Sequence, residues 1–337
     1  MPADELEFGA AVLPGEDPRE LVEHAQKAEQ LGYDRFWVPD QTFLPDPFLL
    51  VSRIAQRVSL DLGIALTSPF SRHPVQIARA MATVVHFDDE ARDWALGLGR
   101  GNSNLVLGPL GLGTGATPRR LASAIDLVKR LLRGETVEGP ADGFLTAPVA
   151  LESQPVSCSV FVGTRGPQTL SLAAPVADGF ITESLFVPEL VRWARASFES
   201  EPGFPPRLHV AWQSVIVLDP GDPIPEQARH FTTMLMRTTA PSVLELLKVD
   251  PRIRALVASR TLDESDVTDE DVRRFIAIGT PEQLQQTVLD AAAAGVTSWS
   301  SIFLGSRQEV ATTMRRFAED VISPVRVRRS SLRKGEK

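Results

Sequence analysis

Four stretches of this chain set carboxylate, amide, hydroxyl and guanidinium groups directly beyond a short apolar run, where a strand would deliver a side chain to solvent. They are Val38-Pro39-Asp40-Gln41, Ala65-Leu66-Thr67-Ser68-Pro69-Phe70-Ser71-Arg72-His73-Pro74, Gly97-Leu98-Gly99-Arg100-Gly101-Asn102-Ser103 and Gly163-Thr164-Arg165-Gly166-Pro167. The last has the most definite chemistry. A glycine-bearing turn that opens a helix presents backbone N–H groups to an anion, and Arg165 adds a charge. The other reading of that arginine is a surface ion pair. The run Gly97-x-Gly99-x-Gly101 lacks the Gly-x-Gly-x-x-Gly spacing of a dinucleotide site, and glycines past a strand are as often turn punctuation. His73 is a candidate for proton transfer or for a structural place at the start of a helix. Glu183, beyond a further apolar run, is a protonatable group. No nucleophile–histidine pairing accompanies these groups, and neither His-x-Glu nor His-Glu-x-x-His metal spacing occurs.

The elements that would position these groups alternate regularly. Apolar runs at Glu7 to Val12, Tyr33 to Pro39, Leu60 to Leu66, Trp94 to Gly99, Val160 to Gly163, Asp178 to Thr182, Leu208 to Leu218 and Trp299 to Leu304 read as strands. Between them lie helical stretches with recognisable ends. Asp17-Pro18-Arg19-Glu20 supplies an N-cap, a first-turn proline and a capping-box glutamate, and Gly32 closes the helix. Thr117-Pro118 and Thr280-Pro281-Glu282-Gln283 repeat the opening signal. Strands alternating with helices imply a parallel sheet, and eight of them close as a (β/α)8 barrel of α/β class. An open doubly wound sheet is the alternative. Residues 219–278 read as a helical insertion between strands seven and eight, within one domain spanning residues 1–325, followed by a basic tail at 326–337. In a barrel the carboxyl ends of the strands form the reactive face, and there all four stretches converge.

Composition narrows the function classes. The chain has 337 residues with a net charge of −8, and its last twelve residues carry six basic side chains against one acid, so the rest sits near −13. A body so acidic is not expected to bind nucleic acid, and the basic tail is expected to be a solvated terminus. The single cysteine, Cys158, is expected to be a structural thiol, and no apolar stretch approaches a membrane span. With an acidic amino terminus, these features point to a cytoplasmic protein.

Beyond single residues, longer motifs recur in a set order. They are Ala28-Glu29-x-x-Gly32-Tyr33-Asp34-x-Phe36-Trp37-Val38-x-Asp40, then Leu62-Gly63 with Thr67-Ser68-Pro69-Phe70-x-Arg72-His73-Pro74, and then Gly97 to Gly101. Gly166-Pro167-x-Thr169-Leu170-x-Leu172-Ala173, Ala177-Asp178-Gly179-Phe180 and Gly279-Thr280-Pro281-Glu282 with Ala294-Gly295-Val296 complete the set. Over roughly residues 6 to 325 the chain resembles the luciferase-like flavin and deazaflavin oxidoreductases. The stretch Trp37 to Pro74 is most similar to the methylenetetrahydromethanopterin reductase group, whose coenzyme is F-420. Ser68 and Phe70 stand where many relatives have Asn and Tyr.

That resemblance implies a deazaflavin lying over the barrel mouth, with a non-prolyl cis peptide at Ala65-Leu66 behind its ring and Thr67 beside it. It further implies that Asp40 lies on the cofactor side, that Arg100, Gly101 and Asn102 line the ring and ribityl chain, and that Thr164, Arg165, Gly166 and Pro167 receive the phosphate. Related sugar-phosphate dehydrogenases have a histidine in place of Gln41 and a glutamate in place of Asn102. An amide cannot exchange a proton as those groups do, so that activity is disfavoured. Gln41 and Asn102 are expected to orient or polarise a small-molecule substrate, with Glu183 as acid or base. Hydride transfer to a C=N or activated C=C bond is the expected reaction, in a homodimer. An FMN-dependent monooxygenase and a non-catalytic ligand-binding barrel remain the alternatives.

Overall fold

The computed structural model describes residues 6–13, 15, 17–101, 106–112, 115–183, 188–199, 209–221 and 224–335. Its strands are β1 (Glu7–Val12), β2 (Arg35–Val38), β3 (Asp61–Thr67), β4 (Trp94–Leu98), β5 (Ser159–Gly163), β6 (Gly179–Glu183), β7 (His209–Leu218), β8 (Ala277–Gly279) and β9 (Ser298–Phe303). All pair in parallel. Pairing runs in order from β1 to β7, passes from β7 to β9, and returns from β9 to β1, so the ring closes as the expected eight-stranded barrel.

The outer layer is α1 (Pro18–Gln30), α2 (Pro47–Ala55), α3 (Pro74–His86), α4 (Pro118–Leu132), α5 (Pro167–Ala173), α6 (Pro188–Glu199), α11 (Pro281–Ala294) and α12 (Arg307–Phe317), with α7 (Glu226–Thr238), α8 (Pro241–Leu246), α9 (Pro251–Ser259) and α10 (Asp269–Phe275) between β7 and β8. Proline opens α1 to α6 and α11 because its fixed φ suits the first turn, where its missing N–H costs nothing. Side-chain caps from Asp17, Asp46, Thr117 and Thr280 set the same boundaries. Among the described residues no helix is long and apolar enough to cross a membrane.

Three features depart from the sequence expectations. The insertion is not wholly helical, because it ends in β8, which pairs with Ile216, Val217 and Leu218 of β7. The cause is the length of β7: its last residues run past β9, and their backbone groups need another partner. Helix α2 is an element the apolar pattern did not mark. Its opening is nevertheless conventional, with Asp46 accepting from the N–H of Phe48 at 2.9 Å and Pro47 following. Finally, the chain beyond residue 325 continues as a helix, α13 (Ser323–Gly335). Arg326 joins it to the barrel through Asp34 at 2.7 Å, the Gly32 carbonyl at 2.9 Å and the face of Phe8 at 5.3 Å.

The barrel interior is built around Trp37. Its indole approaches β1 at Gly9 and β3 at Gly63, where a side chain would overlap it, and Phe161 of β5 at 6.4 Å. A ring touching three other strands can only lie inside. One turn of the pleat earlier on β2, Arg35 closes the amino-terminal end. Its guanidinium binds both carboxylate oxygens of Glu7, at 3.0 and 3.1 Å, and the carbonyls of Leu62 and Asp93, at 3.2 and 2.9 Å. Ser298 donates to Glu7 at 2.7 Å, so the buried carboxylate and cation are both enclosed in hydrogen bonds.

Removing one partner of such a pair leaves an uncompensated buried charge. Arg35→Met is therefore expected to lower unfolding stability by about 3 to 5 kcal/mol in urea titrations. Glu7→Gln combined with Arg35→Met should lose clearly less than Arg35→Met alone. Equal losses would mean that the charge pairing is not what the barrel end relies on.

Candidate active site

At the mouth, β3 changes its path. The Ala65–Leu66 peptide is cis, as the resemblance implied, and the β3–β4 register slips between Ile64 and Thr67. Pairing resumes through Thr67, opposite Leu98, whose successor Gly99 donates to the Thr67 carbonyl at 2.9 Å. The Leu66 side chain turns into the barrel and fills the space that side chains at Gly97 and Gly163 would need. Strands β4 and β5 thus carry glycine, at Gly97, Gly99 and Gly163, where Leu66 crosses them. Gly101 adds a left-handed turn, φ 72°, beside the Ser68 hydroxyl.

Asp40 and Gln41 leave the end of β2 differently. Asp40 is largely enclosed, and burial raises its pKa above the ordinary carboxylate value, with the Thr67 hydroxyl and the Arg72 guanidinium pulling it back. The Thr67 hydroxyl is buried and forms no well-aligned hydrogen bond. Arg72 is anchored by an ion pair with Asp46 and lies 4.7 Å over the Phe48 ring. Gln41 opens a tight turn, its carbonyl accepting from Leu44 at 2.7 Å, and its side chain is exposed. Arg100 is also exposed, and its carbonyl accepts from Ser68 Oγ at 3.2 Å. Asn102 lies outside the described residues. Glu183 is the last residue of β6, in register with Gln213, and its side chain also lies outside them.

The anion-loop expectation needs correction at Gly166. Its N–H is already taken by Thr164 Oγ1 at 3.0 Å, and Pro167 has no N–H, so neither residue supplies an open donor. The arginine does not stay within its own loop. Instead Arg165 reaches the insertion, donating to Thr239 Oγ1 and to Thr238 Oγ1, both at 2.9 Å. His73 proves structural. Nδ1 caps α3 by accepting from Val75 at 3.2 Å, which leaves Nε2 to donate to the Phe144 carbonyl at 2.9 Å.

Two features near the mouth escaped the sequence reading. The segment between α4 and β5 returns along the barrel wall and sets Phe144 against Phe70, at 6.1 Å, with Arg120 over the Phe144 ring at 4.6 Å. Its turn signals were visible in Gly139-Pro140 and Asp142-Gly143, flanked by the paired Val137 and Val149. The second is Gln213 on β7. It is 6% exposed, and its Nε2 has no hydrogen-bond partner. A lone amide in a largely apolar strand was the available signal.

The arrangement offers glycine on β4 and β5 against Leu66, a carboxyl group whose pKa burial raises beside β2, and an arginine held at the end of β5. Against this geometry, residues 5–298 match the family described as luciferase-like monooxygenase. The chain is 23% identical over 308 residues to the 5,10-methylenetetrahydromethanopterin reductase of Archaeoglobus fulgidus, an alignment covering 87% of this chain and 92% of the relative. It is 32% identical to the F420-dependent glucose-6-phosphate dehydrogenase of Nakamurella multipartita over 189 residues, 51% of this chain and 54% of that one. The fold superposes on the coenzyme F420 dependent tetrahydromethanopterin reductase of Methanopyrus kandleri with a TM-score of 0.78 at 19% identity, covering 95% and 99% of the two chains. Barrel, mouth and a sequence match that spans most of the chain agree, and the chain belongs to the luciferase-like monooxygenase family.

Proposed function

We propose that this chain is a coenzyme F-420-dependent reductase that transfers hydride between the deazaflavin and a C=N or activated C=C bond of a small organic substrate. The observation that carries the reading is the end of β3, where Leu66, after the cis bond, lies across Gly97 and Gly163, and a planar ring would rest on these strand ends. When bound, the coenzyme supplies a two-electron hydride donor or acceptor at C5. The reductase relatives align over nearly their whole length, whereas the dehydrogenase alignment spans about half of each chain, which favours reductase chemistry.

The chain's own residues take complementary parts. Ala65, Leu66 and Thr67 support the ring, and Arg100, Gly101 and Asn102 flank it. Arg165, in the loop Thr164 to Pro167, meets the phosphate as a charged fork. Asp40, whose pKa burial raises, would keep a proton next to the ring to higher pH than a solvated aspartate. Gln41 and Asn102 orient the substrate by hydrogen bonding, and Glu183 serves as the proton donor or acceptor. A site of this kind works by aligning two planar partners and excluding water.

Titration with coenzyme F-420, FMN and NADPH tests the cofactor assignment. F-420 is expected to bind most tightly, and tighter FMN binding would favour a flavin monooxygenase instead. Arg165→Ala should weaken F-420 by roughly ten- to a hundredfold, the equivalent of about 1.5 to 3 kcal/mol for a charged hydrogen bond. The rate at saturating coenzyme should change much less.

Asp40 gives a pH-dependent test. Because burial raises its pKa in the folded state, folding takes up a proton there, and stability is lost as pH rises through the window between the ordinary aspartate value and the raised one. Asp40→Asn removes that loss. The variant's melting temperature should exceed wild type near neutral pH, with the gap closing toward about pH 4. A gap that does not vary with pH would refute the assignment of a raised pKa.

A further inference from the structure

We infer that Thr238 and Thr239, at the carboxyl end of α7, are positioning residues that aim Arg165 at the coenzyme's phosphate and so tie phosphate recognition to the helical insertion. This rests on the reading of Arg165 as the phosphate ligand. The three residues come from parts of the chain more than seventy positions apart, with Arg165 after β5 and the threonines beyond β7.

The hydroxyl protons of both threonines are committed elsewhere. Thr239 Oγ1 donates to the Leu235 carbonyl at 2.7 Å, and Thr238 Oγ1 donates to the same carbonyl at 3.0 Å or to that of Met234 at 3.2 Å. Each oxygen therefore turns a lone pair outward, and each accepts from a different terminal nitrogen of Arg165, Nη1 to Thr239 and Nη2 to Thr238. Two acceptors on two nitrogens of a planar fork fix its plane, which one contact would leave free to turn. The Thr238 carbonyl adds a longer contact to Nη2 at 3.4 Å, and the negative end of the α7 dipole favours the cation there.

A clasp that only held α7 in place would be redundant. The helix already buries Ala228, Phe231, Leu235 and Met236. The charged fork is also an uneconomical way to satisfy two hydroxyls that already donate to their own helix. What the pair supplies is orientation of a long, flexible side chain before the ligand arrives, which reduces the ordering cost of binding.

The test compares two ligands and three variants. The first ligand is coenzyme F-420, and the second is the 8-hydroxy-5-deazaflavin riboside, which carries the ring without the phosphate. Thr238→Val with Thr239→Val keeps the side-chain shape and removes both acceptors. This double variant should bind F-420 roughly three- to tenfold more weakly, an effect of one or two neutral hydrogen bonds, with the riboside affinity unchanged. Thr238→Ser with Thr239→Ser should restore wild-type F-420 binding, and thermal melts check that each variant folds. Equal weakening of both ligands would reduce the threonines to a structural role and overturn the inference, as would unaltered F-420 binding by the valine variant. Arg165→Ala separates phosphate binding from the positioning of the arginine. If it leaves F-420 affinity untouched, the phosphate assignment itself fails. If it weakens F-420 while the valine variant does not, only the positioning role fails.

Discussion

The interior of this barrel depends on two large side chains lying across strands that have none at the crossing points. Trp37 occupies the middle, over Gly9 and Gly63, and Leu66 occupies the mouth, over Gly97 and Gly163. Close packing permits no extra atoms at those positions, so the glycines are there for space. This packing also shapes the reactive face. Leu66 points inward, and it does so over strand ends that carry glycine at Gly97, Gly99 and Gly163. The same constraint that completes the core thus keeps side chains off β4 and β5 where Leu66 crosses them.

Below Trp37 the barrel is polar. Arg35, Glu7 and Ser298 close the amino-terminal end by hydrogen-bonding in sequence, with Arg35 also donating to the Leu62 and Asp93 carbonyls, and the Arg35 guanidinium lies 5.4 Å from the Trp37 ring. Stability and function are therefore segregated along the axis, with the ion pair far from the mouth and the glycine-rich strand ends near it. Helix α13 reinforces the stable end through Arg326, where Asp34 and Phe8 receive it.

The mouth is assembled from segments distant in sequence. β7 outgrows the barrel and recruits β8, and the helices between them bring Thr238 and Thr239 to the end of β5. The segment after α4 likewise sets Phe144 against Phe70 and holds His73 through the Phe144 carbonyl. Both excursions act on residues that already belong to the strand ends. They change what those residues face without changing which residues they are.

Local signals were enough for the elements. Apolar runs, proline at the first helical turn and Asp, Thr or Ser caps specify backbone conformation within a few residues, so the eight barrel strands and most helices were legible, and motif wording located the cis bond at Ala65–Leu66. Short or atypical pieces were not. Helix α2 follows a loop with exposed Phe43 and Leu44, which blurs its amphipathic pattern, and β8 is three residues long and exists only because β7 needs a partner. The candidate site divides in the same way. Sequence alone determined which residues stand at the strand ends, because strand parity and length are local properties. Only the tertiary structure decided that His73 Nε2 meets the Phe144 carbonyl and that Arg165 is held by two threonines, because each of these hydrogen bonds joins residues more than seventy positions apart, whereas the His73 cap on Val75 and the Thr164–Gly166 bond span two residues.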